Sequence, residues 1–488
     1  MLNKLYVVFN KSEIIEKYLT SYTSLIIQFI FFFLAWYFNN RGFVYFALPV
    51  IILLTCLFSY NSTYLCHLLI FDMISYRQVP DMSGGLPFSI IFDGVIILLG
   101  FIAMYVKRLI LEKKFNFSFG CMGISLSFLA ILCLLSSIVN NFTYNTRYSN
   151  LGFMLSGLFI VIIIVYLLMV NTSLRDNYNF VNKIMYMFFV GILVQMISLN
   201  ILNGVGLKFI TGSSQKDAES YAFDMMNLGW SVSRNISTLG LEICMPFILA
   251  IFNKDKKRVD CLILFVIGLV IILFSWCRGA LFTTAVLLFM YCFIIVYNQK
   301  SFKTTIKNGL ILYSAIIVLG LIIVLKVPKV NQLVSSTLSS VGDLSGRDKL
   351  WDASISYFTR SPIIGSSFSC LYDLGDVFNG LWGGNYTSLC LSHNTFINLL
   401  AVVGVLGVIG YLLNVFESIF SSVLYPKKEL VLPLITFVLI GLVHGIVDNT
   451  FFSIAYFFPL MILFSRKEEL NIYDIYTLKK VNEKEASK

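Results

Sequence analysis

Apolar runs long enough to cross a bilayer, about 17–25 residues each, recur along nearly the whole chain. They fall at 22–38, 43–60, 88–106, 118–139, 151–170, 184–202, 236–252, 261–276, 280–297, 309–325, 395–416, 430–443 and 450–464. With 58% hydrophobic and 13% charged residues among 488, the chain has too few polar groups to cover a soluble surface, so its solvent is lipid. The pattern predicts an all-α, polytopic helical integral membrane protein with about 12–14 transmembrane helices, residues 64–76 being a marginal extra crossing. No composition break, linker or repeat divides residues 1–488, so they read as a single membrane domain. Residues 1–20 carry Glu13 and Glu16 and lack the apolar core and cleavage site of a signal peptide.

Orientation follows from the basic residues, which are in excess on cytoplasmic connections. Lys107, Arg108, Lys113 and Lys114 lie between two runs; Arg175 and Lys183, Lys254–Arg258, Lys300–Lys307, and Lys427 with Lys428 follow at every second connection. These connections and the C-terminus are expected inside. The net charge of +10 is then the ordinary cytoplasmic excess of Lys rather than a nucleic-acid footprint.

One long polar stretch, 326–394, interrupts the apolar runs and falls on the outer side as a large loop. The connection 203–235 and the turns at Arg278 and 444–449 fall there too. Arg rather than Lys marks this side, at Arg147, Arg234, Arg278, Arg347 and Arg360. Outer cations run against the orientation rule, and Arg grips phosphate through two parallel hydrogen bonds where Lys cannot.

Residues 261–297 carry Arg278 as their only charge and would span about 55 Å as one helix, far more than the core of about 30 Å, so the chain turns at Cys277-Arg278-Gly279. Arg278 is either an anion ligand or a snorkelling turn residue. Arg347 opens a short amphipathic helix over 349–359 with Leu350, Trp351, Ile355 and Phe358 at helical spacing. There it can meet an anion at a helix N-terminus, or pair with Asp343 or Asp352.

His393 precedes an apolar helix capped by Asn394, where an imidazole can act as general base or donate to an anion. Gly404, Gly407 and Gly410 in that helix suggest a close-packing face. His444 and Asp448 are one helical turn apart and either form a structural pair or serve substrate. Asp93 and Glu242 lie within runs and are expected to pair internally. Loop aromatics, Trp351, Tyr357, Phe368, Tyr372, Trp382 and Tyr386, either stack on sugars or form the loop's own core. Cys370 and Cys390 are able to pair in an oxidising compartment. The three His and the cysteines show no metal-ligand spacing.

Ser275-Trp276-Cys277-Arg278-Gly279-Ala280 resembles the Ser-Arg-Gly turn of the bacterial O-antigen polymerase/O-antigen ligase family (Wzy/WaaL type). Gly346-Arg347 with Trp351 and Ser361-Pro362-Ile363-Ile364-Gly365 is similar to a second element of that family. Ser392-His393-Asn394-Thr395-Phe396, followed by Val403-Gly404-Val405-Leu406-Gly407, resembles a third. The insertion of Trp276-Cys277 between Ser275 and Arg278 departs from the pattern and argues against a functional Ser275.

The resemblance implies a metal-independent, inverting glycosyltransferase with a GT-C-like fold and no cofactor, in the bacterial cytoplasmic membrane. Its donor and acceptor partners would be glycans on undecaprenyl diphosphate at the outer leaflet. Arg278 and Arg347 would hold the diphosphate, and His393 would activate the acceptor hydroxyl or bind the diphosphate. Arg234, Asn394, His444, Asp448 and Trp351 are candidate substrate-binding residues on the same side.

Three functions are weighed. The first is polymerisation of surface-polysaccharide repeat units, with a chain-length regulator as a further partner. The second is the ligase, which differs only in its acceptor, lipid A-core. The third is a flippase or other transporter, for which repeat symmetry and broken mid-membrane helices are expected.

Overall fold

The computed structural model describes residues 21–40, 46–58, 69, 88–112, 117–144, 149–172, 178–212, 215–228, 233–326, 328, 330–331, 334–335, 347–382, 390–425 and 427–465. The helices, in chain order, begin with α1 Tyr22–Tyr37, α2 Leu48–Phe58, α3 Phe88–Glu112, α4 Gly123–Tyr144, α5 Ser149–Thr172 and α6 Tyr178–Leu202. Next come α7 Lys208–Thr211, α8 Gln215–Met226, α9 Arg234–Lys254, α10 Val259–Phe274, α11 Arg278–Val296 and α12 Phe302–Lys326. The last are α13 Arg347–Arg360, α14 Cys370–Trp382, α15 Thr395–Val423, α16 Lys428–Val447 and α17 Ile454–Leu463. No strand occurs among the described residues, and each of the thirteen apolar runs falls on a helix. Eight of the described helices are long and apolar enough to cross a membrane, including α9, α11, α12, α15 and α16. The chain is an all-α, multi-pass membrane protein. The marginal run 64–76 lies outside the described residues, except for Leu69.

Side-chain placement follows from lipid as solvent. Apolar side chains such as Ile311, Val318 and Leu321 of α12 are exposed, whereas Ser136, Glu242, Asn398 and His444 are buried. A hydroxyl or carboxyl facing lipid has no hydrogen-bond partner, so polar groups turn inward, where neighbouring helices supply one. The buried helix α9 packs against α6, α10, α11, α16 and α17.

The two ends of this bundle differ. At one end, Asn253 Nδ2 donates to the Tyr297 carbonyl (3.0 Å), Lys256 Nζ to the Ile295 carbonyl (3.1 Å), and Lys254 faces Glu429 at 3.9 Å. The Lys-rich connections gather there. The N-termini of α9, α11 and α15 and the C-terminus of α16 lie at the opposite end, where the sequence pattern put the arginines.

α15 is not one continuous helix. Gly404 adopts φ 68°, ψ −163°, which breaks the ladder about 14 Å below the first residue, Thr395. The segment from Pro362 to Ser367 fills the gap and takes up the freed groups. Val405 N donates to Pro362 O (2.9 Å), Leu406 N to Ile363 O (3.2 Å), Ser366 N to Ala401 O (2.6 Å) and Ser367 N to Val402 O (2.9 Å). Irregular backbone is tolerated at this depth because it is enclosed by protein. Gly404 therefore marks a break as well as a close approach, made by the Pro362–Ser367 segment, while Gly410 packs against Leu129 and Phe128 of α4.

Two glycines make this approach possible. A Cβ on Gly365 (φ 73°) would stand 2.3 Å from Val402 C, and one on Gly404 would stand 2.4 Å from Ile363 O. Backbone is what blocks each, so no rotamer change relieves it. Gly365→Ala and Gly404→Ala are each expected to cost about 2–5 kcal/mol, combining left-handed strain with overpacking. Gly320→Ala, on exposed α12 with nothing within 4 Å, is expected to stabilise by about 0.5–1 kcal/mol. Thermal unfolding of the detergent-solubilised protein measures all three.

Candidate active site

The α10–α11 turn is a sequence of local solutions to two helix ends. Ser275 closes α10; its hydroxyl donates to Ile272 O (2.7 Å) and accepts from Cys277 N (3.1 Å). It is fully buried, a turn residue as the inserted Trp276-Cys277 suggested. Trp276 takes left-handed φ 57°, and Cys277 Sγ caps α11 by accepting from Ala280 N (3.5 Å). Arg278 is thereby the first residue of α11. Gly279 lets α11 approach α16; a Cβ there would stand 3.2 Å from Val447 Cγ2 and 3.3 Å from His444 Nε2.

α9 and α13 share one property with α11: each begins with an arginine, Arg234, Arg347 and Arg278 respectively. All three arginines line one cavity of about 360 Å³, with Trp276, Ser233, Asn235 and the α8 residues Lys216, Glu219, Ser220 and Phe223. Helix N-termini present unpaired N–H groups and a partial positive charge, so the cavity favours an anion through both backbone and side chains. Arg347 Nη1 also donates to Val447 O (2.9 Å), which fixes the start of α13 to the end of α16. Among the described residues Arg347 has no carboxylate partner; Asp343 and Arg147 lie outside them. Arg234 pairs with Glu219 (Nη2 to Oε1, 2.5 Å).

Beside the cavity stands a second group. His393 Nδ1 is 3.0 Å from Asp448 Oδ1, which also accepts from Asn449 N (2.7 Å), while Oδ2 accepts from Asn235 Nδ2. Burial pushes the Asp448 carboxyl up, but His393, His444 and Arg347 outweigh it and hold the group well below the usual carboxylate range. An ionised carboxylate only accepts, so His393 Nδ1 is the donor, and in the neutral imidazole Nε2 keeps its lone pair. His393, one-third exposed, sits at φ 55°, just before the Asn394 cap. Asn394 Oδ1 accepts from Phe396 N (2.9 Å) and Ile397 N (3.0 Å), and its Nδ2 donates to Ile446 O (2.8 Å), so it is a positioning residue. Trp351 Nε1 donates to Ser392 O (2.8 Å) and ties α13 to the same segment. Asn235 is the link between the groups, since it lines the cavity and holds Asp448.

The structure departs from the expected His444–Asp448 pair. His444 Nδ1 instead meets Glu242 Oε2 at 2.8 Å, both buried between α9, α11 and α16, and Thr284 Oγ1 donates to Glu242 Oε1 (3.0 Å). Glu242 is thus internally paired as expected, while the side chain of Asp93 lies outside the described residues. Buried behind Gly279, His444 does not line the cavity. Phe368 and Tyr372 are buried and belong to the core, and Tyr386 and the ring of Trp382 lie outside the described residues. Cys370 and Cys390 are both free thiols, so the structure does not contain the disulfide they were thought able to form. Among the described residues no cluster of three or more His, Cys, Asp or Glu has a metal-holding arrangement.

Sequence reasoning missed Asn235, Lys216 and Glu219. The signal for α8 was its spacing, since Lys216, Glu219, Ser220 and Phe223 recur at helical intervals within an otherwise polar connection.

No curated protein matches the sequence. A family model described as O-antigen ligase (Wzy_C) matches residues 263–412, a stretch that holds Arg278, Arg347 and His393. Over that stretch the chain is similar to the O-antigen ligase family.

Proposed function

We propose that this membrane protein is a glycosyltransferase of surface-polysaccharide assembly that joins oligosaccharide repeat units carried on undecaprenyl diphosphate. The observation that carries this reading is the convergence of three arginine-headed helix N-termini on one cavity beside the Asp448–His393 pair. A diphosphate is the anion that such a cradle suits: it is multiply charged, and its oxygens accept both guanidinium and backbone N–H groups. The alternation of basic connections supports an outer-face site, with the C-terminus in the cytoplasm.

In this reaction the acceptor hydroxyl attacks the anomeric carbon of the donor's first sugar. The new C–O bond forms as the bond to the diphosphate breaks, and the diphosphate departs with the electron pair. Arg278 and Arg347 stabilise the charge that develops on it. His393 Nε2 takes the hydroxyl proton, and Asp448 stabilises the resulting imidazolium. Direct displacement inverts configuration, and the residues named perform it without a metal or cofactor, in the manner of a GT-C enzyme.

The ligase, which passes glycan to lipid A-core, would use the same donor cavity and is the alternative. Deleting the gene separates the two. A polymerase deletion leaves surface glycan of single repeats, the expected result. Loss of all attached glycan, with polymer accumulating on its carrier, identifies the ligase instead. The polymerase role also implies a chain-length regulator as a partner.

A further inference from the structure

The cavity is not uniformly cationic. Glu219 lines it alongside Arg234, Arg278, Arg347 and Lys216. Arg234 holds Glu219 Oε1 and also reaches the Glu219 carbonyl (3.5 Å), while Oε2 has no partner among the described residues. An ionised diphosphate offers no hydrogen-bond donor and is repelled by a carboxylate. A ligand that fills the whole cavity must therefore carry both negative charge and donor groups.

α8 is a firm platform for such a contact. Its opposite face buries Ala218, Ala222, Met225 and Met226, Asn203 Nδ2 donates to Asp224 O (2.8 Å), and Ser237 Oγ to Met226 O (2.6 Å). Glu219, Ser220 and Phe223 are thus presented to the cavity from a seated helix. They also lie outside residues 263–412, the stretch matched to the family.

Resting on the glycosyl-diphosphate reading of this cavity, we infer that Glu219 is a specificity-determining residue. Its free carboxylate oxygen accepts a hydrogen bond from a hydroxyl or amide N–H of the sugar that adjoins the diphosphate, and Arg234 orients it. Arg234 then acts through Glu219 and leaves the diphosphate to Arg278 and Arg347.

Binding of two probes to the purified full-length protein in nanodiscs tests this. One probe is inorganic pyrophosphate; the other is the lipid-linked repeat unit extracted from a strain lacking the gene. Glu219→Gln is expected to bind pyrophosphate at least as tightly as wild type, because a repelling carboxylate is removed, and the repeat-bearing lipid about tenfold more weakly, the effect of losing one charge-assisted hydrogen bond. Glu219→Asp, which keeps the carboxylate, is expected to recover part of the loss. An equal change for both probes would make Glu219 a charge brake on anion binding and overturn the inference, as would no change for either. Arg278→Ala is the separate control. If it leaves pyrophosphate binding intact, the diphosphate reading of the cavity fails, whatever Glu219 does.

Discussion

Arg278→Ala and Arg347→Ala are each expected to lower glycan chain extension by about 10²–10³-fold while the protein remains folded in the membrane. That is the loss that follows removal of one group stabilising charge on a leaving oxyanion. Both side chains line a cavity headed by helix N-termini, so guanidinium groups and helix dipoles act on the same anion. The two act on one diphosphate, so the double variant should fall short of the product of the single effects. Lys at either position restores the charge without the planar fork and should recover only part of the activity. Arg347 has a second duty, its bond to Val447 O, so Arg347→Ala should also lower thermal stability, by about 1–2 kcal/mol. The measurement is surface-glycan length in a complemented deletion strain, with membrane abundance scored in parallel. Full-length glycan from both alanine variants would make these arginines turn residues and return the transporter to contention.

What could be read in the sequence was what local chemistry fixes. A helix crossing lipid needs an unbroken apolar run, so the spans were visible at nearly their true bounds, and basic connections marked the end away from the site. Arg278 at a turn, Arg347 at a helix start and Asn394 as a cap depend only on neighbours in sequence, and all three stand where expected. Partners across the bundle were not legible. His444 and Asp448 looked paired because residues four apart meet on a helix, but Asp448 has already left α16, at φ −153°, ψ −172°. Its side chain turns to His393, 55 residues away, and His444 takes Glu242, 202 residues away. The break in α15 was concealed for a related reason. Gly404 alone fits a helix, and only the insertion of Pro362–Ser367 from the loop makes a left-handed residue there favourable. α8 escaped because it is amphipathic and short, with no run of apolar residues to announce it.

Asp448→Asn and His393→Gln together should separate the two roles open to His393. Both oxygens of Asp448 already accept N–H groups, from His393 and Asn449 on one side and Asn235 on the other. In the variant the oxygen can stay toward His393 and Asn449, provided that the Asn235 amide turns over. The fold and the imidazole orientation then survive, and only the negative charge is lost. If His393 is the base, the imidazolium it becomes is no longer stabilised, and activity should fall by about 10²–10⁴-fold. If His393 instead donates from Nε2 to the diphosphate, it does so as the imidazolium, which Asp448 also stabilises, so this variant lowers activity in that case too. His393→Gln makes the complementary test, since its amide can donate but cannot take a proton: the base role predicts inactivity, the donor role substantial activity. Acidity adds a third readout. The Asp448 carboxyl is held below its ordinary value, about 3.9, so its contribution to stability is present above that value and is lost only as pH falls well below it. Any loss of rate between about pH 5 and 7 therefore cannot be protonation of Asp448. Asp448→Asn and His393→Gln both inactive and folded would make His393 the base.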